Sequence, residues 1–101
     1  MEPGYENQLN YENSEEIEHI KKYRVILLND DYTSMDFVVE ILTTIFGHNL
    51  EDAINIMLKI HKEEKGVCGV YTYEVAETKI SQVKEKAQEN EYPLRAIMEE
   101  A

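Results

Sequence analysis

The chain has 101 residues, of which 43% are apolar and 31% charged, and a formal net charge of −11. That length suits one compact domain with a packed core. The excess of acid opposes phosphate backbones, and no apolar run approaches the roughly 18 residues of a membrane span, so neither nucleic acid nor a membrane is an expected partner.

Residues 1–22 read as a flexible acidic extension, because Glu, Asn and Tyr dominate and Leu9, Ile17 and Ile20 keep no period. Ser14 followed by Glu15 and Glu16 suits a short helical turn over Ser14 to Ile20. The beginning, MEPGYENQLNYENSEE, lacks the basic start and apolar segment of a signal peptide, so the chain is expected to be mature as it stands. Residues 23–101 form the predicted core. Tyr23 to Leu28 is short, apolar and partly β-branched and stops at the turn-forming Asn29-Asp30-Asp31, which predicts a buried strand. Val38, Ile41, Leu42, Ile45 and Phe46 then recur at helical spacing, with Thr33 or Ser34 as N-cap and Gly47 as the stop. Asn49 caps a second predicted helix that ends before Gly66, with an expected apolar stripe of Leu50, Ala53, Ile54, Met57, Leu58 and His61. Gly66 to Tyr73 is rich in β-formers and predicts a second strand. Glu74 to Asn90 predicts a third helix with Ala76, Ile80, Val83 and Ala87 on its packed face. After Pro93, Leu94 to Met98 can pair as an edge strand, giving an α+β order β-α-α-β-α-β.

Few of these residues suggest catalysis. Cys68 is the only cysteine, so no internal disulfide forms, and no Cys/His spacing resembles a zinc site. A reducing cytoplasmic location and no cofactor fit best. Neither GxSxG nor HExxH occurs. A calcium loop starting at Asn29 fails because Ser34 stands where the template needs glycine and Phe37 where it needs a ligand. Asn29, Asp30 and Asp31 sit between a strand and a helix start, where their oxygens suit either a small cation or ordinary turn and capping chemistry. His61 lies four residues after Met57 on the same helical face, so it faces either the core or a groove.

The segments YRVILLNDDYTSMDFVVEIL, AINIMLKIHKEEKGVCGVYTYEVAETK and ENEYPL resemble the ClpS adaptors of bacterial ATP-dependent proteolysis, over about Tyr23 to Ala101. The resemblance implies three helices packed on a small three-stranded antiparallel sheet, similar to the ribosomal stalk protein C-terminal domain. It implies no enzymatic activity but an adaptor, monomeric when free, that binds proteins with N-terminal Leu, Phe, Tyr or Trp (N-degrons). These would be delivered to a ClpA- or ClpC-like AAA+ unfoldase. By motif, Asn29, Asp30 and His61 would hold the α-amino group with Asp31 in support. Thr33, Met35, Val38, Met57, Ile60 and Leu94 would line the side-chain pocket, with Met35 narrowing it against Ile and Val. Glu74 and Lys79 would meet the unfoldase. Ser34 departs from the family pattern, in which many relatives have proline. The competing reading is a structural docking domain that modulates a protease or translation complex without binding N-degrons.

Overall fold

The computed structural model describes residues 20–101. The helical turn expected over Ser14 to Ile20 lies, but for its last residue, outside them. The elements are β1 Tyr23–Leu28, α1 Met35–Thr44, α2 Leu50–Glu63, β2 Lys65–Tyr71, α3 Tyr73–Glu89 and β3 Arg95–Glu100. Their order and type are those expected.

The alternation in β1 organises everything else. Val25 and Leu27 point to one face, where they are fully buried among residues of all three helices. Strand β1 is central, with β2 and β3 antiparallel on either side. The predicted edge position of the last strand follows from that order. Between Val25 and Ile26 the register with β2 passes from Gly69 to Val67, leaving Cys68 unpaired in a bulge. The Cys68 carbonyl accepts a hydrogen bond from His48 Nε2–H at 2.7 Å, which gives His48 a structural task that its sequence context did not reveal. The Cys68 thiol is buried, and burial pushes its pKa up to about 12, so it stays protonated and unreactive in the native protein.

Some element ends differ from those expected. Lys65 pairs with Leu28, so β2 starts one residue before the expected Gly66 and closes at Tyr71 instead of Tyr73. Thr72 is extended and acts as N-cap, and α3 begins at Tyr73, whose ring meets Tyr23 edge-on with centroids 5.4 Å apart. Strand β3 begins one residue later than expected, because Leu94 is buried in the core ahead of the ladder.

The apolar stripe of α2 also differs from expectation. Its packed face is Ala53, Met57 and Ile60, while Leu50, Ile54 and Leu58 are exposed. Seven of the helix's positions from Leu50 to Ile60 are apolar. Periodicity alone therefore cannot decide which side meets α1 and β2. The helix ends at Glu64, whose φ of 75° is left-handed, two residues before the glycine expected to stop it. A left-handed non-glycine residue costs roughly 1–2 kcal/mol. Glu64→Gly should therefore stabilise the fold by about 0.5–1 kcal/mol, after the unfolded-chain entropy of glycine is subtracted; a thermal melt beside the wild type checks this.

Candidate functional site

The strained turn at Glu64 has a consequence for the loop after β1. Its carbonyl accepts the Asn29 N–H at 2.9 Å, which ties the start of the Asn29–Thr33 loop to the end of α2. The loop is then closed from within. Asp30 Oδ1 accepts the N–H groups of Tyr32 and Thr33 at 2.8 and 2.7 Å, and Oδ2 accepts the Thr33 hydroxyl at 2.7 Å. Burial raises the Asp30 pKa, but the three hydrogen bonds outweigh it and hold the carboxyl below its usual 3.8. Among the described residues, Asp31 is exposed and accepts no such bond.

Ser34 then caps α1, its Oγ accepting the Phe37 N–H at 3.1 Å and receiving the Tyr92 hydroxyl at 3.2 Å. Its φ of −69° is one that proline also adopts, so a proline would fit this backbone, while serine adds a cap. Between the two expected N-caps, Thr33 and Ser34, the structure uses Ser34.

Loop, α1 and α2 converge on a cleft of about 130 Å³ lined by Asn29, Asp30, Asp31, Thr33, Met35, Val38, Met57, Ile60 and His61. These nine include every residue expected at the α-amino and side-chain positions except Leu94. Leu94 is 5% exposed and lines a different hollow, between α3 and β3, with Tyr92 and Pro93. His61 is exposed at the cleft, so of the two places its spacing allowed it occupies the groove. Met35 stands at the mouth, 47% exposed. Chemically the lining holds two kinds of group: carboxylate, amide and imidazole acceptors, and the apolar side chains of Met35, Val38, Met57 and Ile60. None of the nine lining residues is a lysine or arginine. An amphipathic cation is thus the ligand this lining suits. Among the described residues no group of three or more His, Cys, Asp or Glu side chains is placed to hold a metal ion.

The family model described as "ATP-dependent Clp protease adaptor protein ClpS" matches residues 18–97. The chain belongs to the ClpS family. The ClpS adapter protein of Wolinella succinogenes is 61% identical over 80 residues, which is 79% of this chain and 78% of that protein. That of Syntrophus aciditrophicus is 52% identical over 97 residues, covering 96% and 91%. Among solved structures, ClpS2 of Agrobacterium tumefaciens bound to L-phenylalaninamide superposes with a TM-score of 0.79 at 31% identity, over 82% of this chain and 100% of that one. The β-α-α-β-α-β architecture is therefore the ClpS fold, and the chain is a Clp protease adaptor. No helix among the described residues is long and apolar enough to cross a membrane.

The two residues of this ClpS-family chain expected at the unfoldase interface lie on α3, outside the cleft, in different settings. Glu74 is exposed in the first turn. Lys79 is half-buried: its Nζ donates to the carbonyl of Ile45, the C-cap of α1, at 2.7 Å, and stands 5.7 Å from the centre of the Tyr71 ring. A cation at a helix C-terminus and over a tyrosine ring is an internal tie between α3, α1 and β2. Lys79→Met should therefore lower stability by about 1–2 kcal/mol in the absence of any partner, whereas Glu74→Gln, at an exposed position in the first turn of its helix, should cost only about 0.3 kcal/mol. Paired thermal melts test the contrast, and loss of unfoldase binding by Lys79 variants is interpretable only beside them.

Proposed function

We propose that this adaptor binds, in the cleft between loop, α1 and α2, the amino terminus of proteins beginning with Leu, Phe, Tyr or Trp, and delivers them to a ClpA- or ClpC-like AAA+ unfoldase. The observation that carries the reading is one cleft lined by two carboxylates, an amide, an imidazole and four apolar side chains, with no lysine or arginine among the lining residues. An α-ammonium group offers three donors and needs acceptors, while the adjoining side chain needs an apolar cavity. The ligand of the Agrobacterium neighbour, L-phenylalaninamide, carries both features.

In this reading Asn29 Oδ1 and a His61 ring nitrogen accept from the ammonium, and Thr33, Met35, Val38, Met57 and Ile60 hold the side chain. Leu94 supports that wall from the core. The hydrogen bonding favours a division between the acids opposite to the one expected. Asp30 spends three acceptor positions on its own loop and chiefly shapes it, whereas Asp31 keeps its carboxylate available for the ammonium. At an effective dielectric of about 20, one charge pair near 4 Å contributes roughly 4 kcal/mol before desolvation, enough to separate a free from a blocked amino terminus. Such capture needs no bond to break, so the protein acts without catalysis, in the cytoplasm where Clp substrates are made. Residues 1–22 serve the hand-over, with Glu74 on the unfoldase side.

Reconstitution tests the whole proposal. A fluorescent protein beginning with Phe should be degraded by ClpA or ClpC with its peptidase only when this chain is added, and the same protein beginning with Gly should survive. Equal degradation of both would sink the reading.

A further inference from the structure

The turn of α2 that buries Ala53, Met57 and Ile60 leaves a row of aliphatic side chains in solvent: Leu50 is 62%, Ile54 38% and Leu58 49% exposed. They recur every fourth residue and His61 follows three residues after Leu58, so all four share one side of the helix. The row begins at the cleft, because His61 lines it, and it runs away from the cleft toward the helix start. Single exposed leucines are ordinary on a protein surface; three in one row leading out of a binding cleft are not explained by the fold.

We propose that this row is a second contact surface for the same substrate polypeptide, taking apolar side chains of the residues that follow the captured amino terminus. The inference rests on the cleft being the amino-terminus site. From His61 to Leu50 the helix rises about 16 Å, a distance that an extended chain spans with roughly five residues. Substrates carrying aliphatic or aromatic residues just behind their first residue are thus bound at two places on α2.

Charge decides against the other occupants. Glu51 stands beside the far end of the row. Residues 1–19 of the chain contain six glutamates and no lysine or arginine, a composition poorly matched to an aliphatic row beside Glu51. A second copy brings another formal charge of −11. An apolar stretch of a substrate carries no such penalty.

Calorimetric titration of the full chain with three ligands tests this: phenylalaninamide, a Phe-starting peptide continued in Gly and Ser, and a Phe-starting peptide of equal length continued in Leu and Val. The apolar peptide should bind about tenfold more tightly than the Gly-Ser peptide, corresponding to roughly 1.4 kcal/mol. Replacing the row together, Leu50→Gln, Ile54→Gln and Leu58→Gln, should bring the two peptides to equal affinity and leave phenylalaninamide binding unchanged. Glutamine keeps helix propensity, and Ile54→Gln alone, with a smaller loss, is the milder variant. If phenylalaninamide binds but the wild type does not distinguish the two peptides, or the triple variant keeps the preference, the inference is overturned and the cleft reading stands. If phenylalaninamide itself does not bind, the cleft reading fails and the inference falls with it. Self-association of the wild type that the triple variant abolishes would assign the row to a second copy and overturn the proposal.

Discussion

Asp30→Ala is expected to reduce affinity for a Phe-starting peptide by at least thirtyfold, although the substituted side chain chiefly acts on its own loop. Removing it leaves the Tyr32 and Thr33 N–H groups and the Thr33 hydroxyl without their partner. Loss of an equivalent capping side chain costs about 1–2 kcal/mol of stability. The loop then no longer holds Asn29 and Asp31 toward the cleft, and a thirtyfold loss of affinity corresponds to about 2 kcal/mol of weakened contact with the ammonium. Asp30→Asn separates the two effects, because its amide oxygen can still accept from both backbone groups while the charge is gone. It should recover most of the stability, and Asp31→Asn should lose binding with no loss of stability. Melts and titrations of the three variants, taken together, check this.

The same bonds set the acid response of the loop. Asp30 has a pKa lowered in the folded protein, so its stabilisation is fully present above the unfolded value of 3.8. That stabilisation is lost only as the pH falls through the still lower folded value. Loop opening by protonation of Asp30 is accordingly expected only below 3.8, and loss of ligand binding at milder acidity would come from another group.

Ile60→Ala carries the other large effect, in stability and specificity at once. Ile60 is 2% exposed, lines the cleft, and packs so closely on β2 that a Cβ added at Gly66 would stand 2.7 Å from its Cγ1. Truncation removes three carbons from a place where both α2 and β2 have closed around them, at a cost of about 2–5 kcal/mol. For a domain of this size each kcal/mol lowers the melting temperature by roughly 4–8 °C. The cleft also loses part of its floor. Leucinamide should lose about tenfold in affinity, roughly the free energy of burying two methylenes, while tryptophanamide, large enough to fill the added space, should lose less. Equal losses for both would show that Ile60 supports the cleft without touching the ligand.

Much of the fold was legible because short elements announce themselves by their ends. Tyr23 to Leu28 is an apolar run stopped by Asn-Asp-Asp, and Asn49 is followed by two acids, so β1 and the start of α2 lie where the pattern places them. Ala76, Val83 and Ala87 are buried on α3 with Ile80 half-buried, as their spacing required. The side of α2 that packs was not legible, because a helix apolar around most of its girth offers several equivalent stripes. Nor was the stop at Glu64, where a left-handed residue does the work of a glycine so that its carbonyl can reach Asn29.

The candidate site was legible as composition and not as geometry. Asn29, Asp30 and Asp31 read as an acidic turn with either of two meanings, and His61 as facing either core or groove. Tertiary structure brings loop and helix end together through one backbone hydrogen bond, and no pattern in the chain foretells that bond. The roles of the two adjacent acids depend on which carboxylate turns back onto the loop, a matter of backbone dihedrals that residue types do not encode. Leu94 resembles a pocket residue by motif, yet it sits in the core beside another hollow, because the chain leaving the turn at Asn90 and Glu91 buries it before β3 begins.

The central claim is that the cleft recognises a free α-amino group beside an apolar side chain. Titration calorimetry with phenylalaninamide and with N-acetyl-phenylalaninamide isolates that group, since the two ligands share the ring and the amide and differ only at the nitrogen. Saturable one-to-one binding of phenylalaninamide, abolished by acetylation and by Asp31→Asn, is the predicted result. Equal binding of both ligands, or of neither, would contradict the account.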